Sequence, residues 1–122
     1  MDGDKPIYIH PSLSSGFVLS VKIWIPPEKI SEFFALFKPV YDAVIAEEEC
    51  RFFVVTQNEQ EPGCISWVEG WTKDVNWLMS EQLPKSYYQP YLKETEAMFT
   101  KPRFFEILKP EASFGHFKVP KT

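Results

Sequence analysis

At 122 residues the chain falls within the range of one domain with a limited core, and 44% apolar against 25% charged residues is too hydrophobic for disorder. The formal net charge is -4 and the 13 basic residues are scattered, which leaves no electrostatic footprint for nucleic acid. Aromatic residues reach 16%, with 11 Phe, 5 Tyr and 4 Trp; so small a domain cannot hide them all, so some are expected to face a ligand or a partner.

The segment Met1 to Gly16 carries Asp2 and Asp4 and lacks the basic region and apolar run of a secretory signal. No stretch approaches the length of a membrane span. A cytoplasmic location without a membrane partner is the resulting expectation, and Cys50 and Cys64 read as reduced thiols.

From Phe17 to Ile25, Leu19, Val21, Ile23 and Ile25 alternate with Val18, Ser20, Lys22 and Trp24, the period of a strand. Pro26 and Pro27 stop it, and Pro27 suits the first turn of a helix. Ile30, Phe33, Phe34, Phe37, Tyr41, Val44 and Ile45 then recur at three- and four-residue spacing, predicting an amphipathic helix to about Glu48. Its stripe stays in phase across Pro39, so one kinked helix is expected rather than two.

Cys50–Thr56 and Cys64–Trp71 are rich in aromatic and β-branched residues and read as strands, joined through the polar loop that ends in Pro62 and Gly63. Thr72 and Asp74 can cap a short helix, and a second piece begins near Ser86. Arg103–Leu108 is the last strand. Residues 1–16 and 110–122 read as tails around a domain over 17–109. The order βαββαβ predicts an α+β, ferredoxin-like fold with a four-stranded antiparallel sheet and helices on one face. The bare face, with Val68 and Phe52 or Phe53 on it, calls for a second copy, hence a homodimer.

Several passages together resemble the antibiotic biosynthesis monooxygenase domains of the dimeric α/β-barrel superfamily. They are the strand-to-helix passage Lys22 to Lys29 with the Phe-rich helix after it, the acidic Glu47-Glu48-Glu49 before Cys50, and Ser66-Trp67-Val68-Glu69-Gly70-Trp71. The last is similar to the family's strand-three pattern of Glu, any residue, Trp. The match covers about Val18 to Leu108, and its long Phe-rich helix is most similar to members from fungal biosynthetic clusters. Haem-degrading members place an iron-ligating His about ten residues beyond that Trp, where this chain has Glu81. Polyketide oxygenases place an Asn four residues before it, where this chain has Trp67.

Alternation sets Ile65, Trp67, Glu69 and Trp71 on one strand face. If that face turns to the helices, as the resemblance implies, it lines a cleft with an apolar wall and one carboxylate. Glu69 and Trp71 are then the catalytic candidates and Trp67 a substrate contact; a desolvated Glu69 would titrate near neutrality, as a general base requires. The alternative is that the indoles fill core and Glu69 makes a salt bridge. Lys22 could stabilise an enolate or phenolate oxygen, against a solvated strand-edge lysine. Tyr87, Tyr88 and Tyr91 could donate to a substrate carbonyl, against simple packing. His10 and His116 lie in the tails.

No ligand pair has metal spacing and no Gly-rich loop cradles a phosphate, so no metal and no cofactor are expected. The function expected is a cofactor-independent, monooxygenase-like enzyme acting on a small aromatic or polyketide-like secondary metabolite. The alternatives are a proton-transfer enzyme on the same fold (cyclase, decarboxylase or dehydratase) and a non-catalytic small-ligand-binding barrel.

Overall fold

Two proline-bounded transitions and one bulge determine how the chain lays out its sheet. The computed structural model describes residues 6–7 and 16–118. Strand β1 is the two-residue segment Pro6–Ile7, and β2, Phe17–Trp24, is the strand foreseen from its alternation, with Phe17, Val21 and Ile23 buried and Lys22 exposed. Pro27 opens a 3-10 turn, Pro27–Lys29, that leads into α1, Ile30–Ile45. The helix runs unbroken through Pro39 and buries Phe33, Phe37, Val40 and Val44. It stops three residues before Glu48, where the Glu47 N–H turns back to the Val44 carbonyl at 3.0 Å. Ile45, placed by periodicity on the apolar stripe, is 46% exposed, and Val40 takes its place in the core.

Strand β3, Cys50–Gln57, pairs with β4, Cys64–Trp71, and Gly63 in the turn between them has a φ of 92°, a conformation that L side chains rarely adopt. The β3 register shifts between Cys50 and Phe52. This bulge puts Phe53 opposite Glu69 on the helix-covered face and Phe52 opposite Gly70 on the other, so the outward residue of the Phe pair is Phe52. Glycine at position 70 leaves the space that the Phe52 ring occupies, and a Cβ there would displace that ring.

After β4, the Asp74 carboxylate caps the one-turn helix α2, Val75–Trp77, by accepting from the Trp77 N–H at 2.9 Å. A π-helical turn, Leu78–Gln82, a 3-10 turn, Ser86–Tyr88, and α3, Gln89–Glu96, complete the broken helical region. Strand β5, Phe104–Leu108, closes the sheet, and β6, Phe117–Lys118, pairs antiparallel with β1 in a separate two-stranded ladder.

All pairings in the main sheet are antiparallel and its order is β3-β4-β2-β5, the ferredoxin-like arrangement predicted from the element order. The inner face meets α1 in a core that includes Phe33, Ile23, Ile65 and Trp71, each fully buried and each worth about 1.5–3 kcal/mol of hydrophobic stabilisation. On the outer face Val54, Phe104 and Leu108 are 50%, 48% and 43% exposed. Among the described residues no helix is long and apolar enough to cross a membrane.

Candidate active site

A strand's two-residue period sets Trp67, Glu69 and Trp71 side by side on the inner face of β4, under the helices. Glu69 is 8% exposed. The Trp67 Nε1–H donates to its Oε2 and the Trp71 Nε1–H to its Oε1, each at 2.8 Å. No described cation forms an ion pair with it. Burial therefore dominates and pushes the Glu69 carboxyl up to about 7, while the two indole hydrogen bonds pull the other way. A carboxyl with this midpoint is divided between base and acid near neutrality, and each oxygen keeps a lone pair for a further donor.

Above Glu69 lies a cavity of about 330 Å³. Trp67 and Glu69 form part of its floor, α1 contributes Phe37, and the helical region contributes Tyr88 and Tyr91. The Phe37 and Trp67 rings meet with centroids 5.0 Å apart, which makes the wall between helix and sheet aromatic. Glu69 and Arg103 are the charged residues among those that line it. Arg103 is already engaged, since its Nη1 donates to Glu96 Oε2 at 3.0 Å and its guanidinium lies over the Phe99 ring. Burial raises the Tyr88 and Tyr91 hydroxyls well above the ordinary tyrosine range, and the Glu69 charge adds to both shifts. Both remain hydrogen-bond donors rather than phenolates.

The candidates read from the sequence separate into three groups. Trp67, Glu69, Tyr88 and Tyr91 come together at the cavity. Trp71 and Tyr87 stand behind it: Trp71 is fully buried, packs against Trp77 at 5.7 Å and reaches the site only through Glu69. Tyr87 donates to Glu47 Oε2 at 2.8 Å. Lys22 is not brought to the site, because it pairs with Ser66 at the outward parity of the sheet and is exposed on the opposite face. His116 is exposed, and His10 lies outside the described residues.

Three polar residues of the site region were not anticipated: Gln82, Glu47 and Arg103. Gln82 is fully buried, and its Nε2 donates to Tyr87 Oη at 2.5 Å and Tyr88 Oη at 3.0 Å. Glu47, just beyond α1, also accepts from Lys85 Nζ at 2.7 Å, and this lysine holds the Glu47 carboxyl below its usual range. Nothing local in the sequence marks Gln82, and the acidic run that contains Glu47 does not show its partners, because the fold brings them in. Cys50 and Cys64 are free thiols, and burial pushes Cys50 up to about 12, so it carries no thiolate chemistry near neutrality. Among the described residues no three His, Cys, Asp or Glu side chains converge as a metal site would need.

Comparison with known proteins agrees with this fold. No family model matches the chain. A putative monooxygenase of Pestalotiopsis microspora is 33% identical over 97 residues, covering 80% of this chain and 78% of that protein. A solved antibiotic biosynthesis monooxygenase superposes with a TM-score of 0.70 at 13% identity, covering 78% of this chain and 98% of its own. A conserved protein from Methanosarcina mazei Go1 does so with a TM-score of 0.70 at 20% identity, covering 81% and 97%. The two structures share the fold; the Pestalotiopsis relative, through its identity and coverage, shares descent as well. The chain belongs to the antibiotic biosynthesis monooxygenase domain family.

Proposed function

We propose that this chain is a cofactor-independent monooxygenase of small, flat aromatic or polyketide-like secondary metabolites, with Glu69 as its general base. The observation that carries this reading is the Glu69 carboxyl itself, held at the floor of an apolar cavity where burial pushes it up to about 7. An apolar cavity lined by Phe37, Trp67 and the three tyrosines Tyr41, Tyr88 and Tyr91 suits a planar ring system, and its one carboxyl, Glu69, lies where the ring's acidic proton would be taken.

Glu69 removes a phenolic or enolic proton and becomes the carboxylic acid; the resulting electron-rich anion reacts with dioxygen. For a methylene oxidised to a carbonyl the balance is CH2 + O2 → C=O + H2O, with all four electrons supplied by the substrate. Trp67 and Trp71 fix the direction of the carboxylate, and the cavity holds the substrate against it. The named monooxygenase in Pestalotiopsis supports the oxygenase form of the reading.

The outer sheet face supports a homodimer. Its apolar residues Phe52, Val54, Val68, Phe104 and Leu108 make a patch that a second copy of the same sheet would cover about a two-fold axis. Light scattering should give twice the 14.3 kDa chain mass, and a monodisperse monomer at micromolar concentration would rule the paired barrel out.

The enzymatic reading is tested with an oxygen electrode and a panel of flat phenols and β-dicarbonyls, comparing wild type with Glu69→Gln. Oxygen uptake that depends on Glu69 supports it. Turnover without oxygen uptake moves the same base to proton-transfer chemistry, and binding without turnover makes the protein a ligand-binding barrel.

A further inference from the structure

We propose that Gln82 is a positioning residue that holds the Tyr88 hydroxyl as a hydrogen-bond donor to an oxygen of the molecule bound above Glu69. This rests on the cavity being the ligand site, and it adds a second, electrophilic contact opposite the base. At the outer end of the Gln82 network the direction of the first hydrogen bond is forced. An ionised carboxylate only accepts, so Tyr87 must be the donor in its 2.8 Å contact with Glu47 Oε2. Lys85, at 2.7 Å from the same oxygen, keeps that carboxylate ionised.

With its own proton committed, the Tyr87 oxygen has only acceptor capacity left for Gln82. The amide must therefore turn its NH2 end to the tyrosines, donating to Tyr87 Oη at 2.5 Å and Tyr88 Oη at 3.0 Å. The opposite orientation would set the amide oxygen against an oxygen with no proton to give. The consequence falls on the other end of the side chain: Gln82 Oε1 is buried without a hydrogen-bond partner, the one such side-chain atom among the described residues. An orphaned buried carbonyl is costly, and a glutamine that merely filled space would not retain one. The π-helical turn Leu78–Gln82 that carries it is a rare conformation that occurs frequently at functional sites.

In the chain Lys85, Glu47, Tyr87, Gln82, Tyr88 every hydrogen-bond direction is thus fixed, with Glu47 accepting from both its neighbours and Gln82 donating to both of its own, and the last member lines the cavity. Tyr88 accepts from Gln82, so its own O–H is what remains to be given. Within the protein the competing acceptor is Tyr87 Oη, which lies within hydrogen-bonding reach of the Tyr88 hydroxyl and already donates to Glu47 and accepts from Gln82. A ligand oxygen that gains negative charge as Glu69 takes its proton is the stronger acceptor. Raised far above its usual range by burial, the Tyr88 hydroxyl keeps its proton throughout. The ligand class this selects has a hydroxyl or enol oxygen on a flat apolar body, with that one oxygen donating to Glu69 and accepting from Tyr88.

The test uses the full chain and two ligands of equal shape, 2-naphthol and 2-methylnaphthalene, titrated by tryptophan fluorescence. Tyr88→Phe should weaken 2-naphthol about tenfold and leave 2-methylnaphthalene within twofold. Gln82→Met should weaken 2-naphthol severalfold in the wild-type background and have no effect once Tyr88 is Phe, because Gln82 acts through that hydroxyl. Should Gln82→Met fail to fold, Tyr87→Phe cuts the same chain one step further out and carries the same expectation. Equal losses for both ligands, additive effects in the double variant, or unchanged 2-naphthol affinity in Tyr88→Phe would overturn the proposal while the cavity reading stands. If neither ligand binds the wild type, the cavity reading falls and this proposal with it.

Discussion

Strands β4 and β5 both flank β2 in the sheet and both carry large apolar side chains at alternate positions. On β4 the inward residues Ile65, Trp67, Glu69 and Trp71 are all buried; on β5 every residue is exposed, with Phe105 at 60% and Ile107 at 39%. The difference lies in the cover. Helix α1 and the broken helical region close over β4, where a strand glutamate becomes a near-neutral acid. Edge strand β5 receives no such cover, so its inward side chains form the rim of the cavity and its outward ones the bare face. A strand's alternation therefore says which residues share a face, and the second layer decides whether that face is chemistry or rim.

The largest expected effect separates the carboxylate on β4 from the one on β5. Glu69→Gln should lower turnover on an active substrate by 10²–10⁴-fold, with a stability change of about 1 kcal/mol as one indole N–H loses its acceptor. The same change at Glu106, which faces outward on β5, should leave turnover within twofold by the same assay.

A second effect is set by proton linkage. Glu69 has a folded-state midpoint of about 7 against an ordinary value of 4.5, so between these pH values the native state holds a proton that the unfolded chain has released. Stability contributed by this group is full below about 4.5 and is lost as pH rises through 7. The loss is on the order of 3 kcal/mol, and urea unfolding at pH 5 and pH 8 should show it in wild type but not in Glu69→Gln. An equal change in both proteins would place the burial cost elsewhere.

The fold and the core of the site were legible because they rest on local periods. The strand period joined Trp67, Glu69 and Trp71, and the helical stripe stayed in phase across Pro39 to give one α1. The hidden parts depend on long-range pairing or on a single inserted residue. Tyr87 and Lys85 reach Glu47 across 40 and 38 positions, so no window of sequence displays that network. The bulge at Arg51 precedes a continuous apolar run, Phe52 to Val55, where alternation gives no phase to tell an inward Phe from an outward one. Lys22, by contrast, shares the outward parity of Ser20, and that parity was readable from β2 alone.

Smaller effects sharpen the division between residues at the cavity and residues behind it. Trp71→Phe should cost about 1–2 kcal/mol in denaturant unfolding through the void it leaves. It also removes a hydrogen bond that favours the ionised carboxylate, so the pH midpoint of turnover should move upward. An unchanged midpoint would show that Trp71 only packs. Lys22→Met, on the far face, should alter turnover less than twofold in the same assay.

The claim on which the account turns is the titration of Glu69, and it can be measured without knowing the substrate. Carbon-13 NMR of the glutamate side-chain carboxyls, compared between wild type and Glu69→Gln from about pH 4 to pH 9, isolates the one resonance that the substitution removes. That resonance should titrate with a midpoint close to 7. A midpoint at the ordinary 4.5 would mean a solvated carboxylate, and Glu69 would then be no more than an acceptor for two indoles.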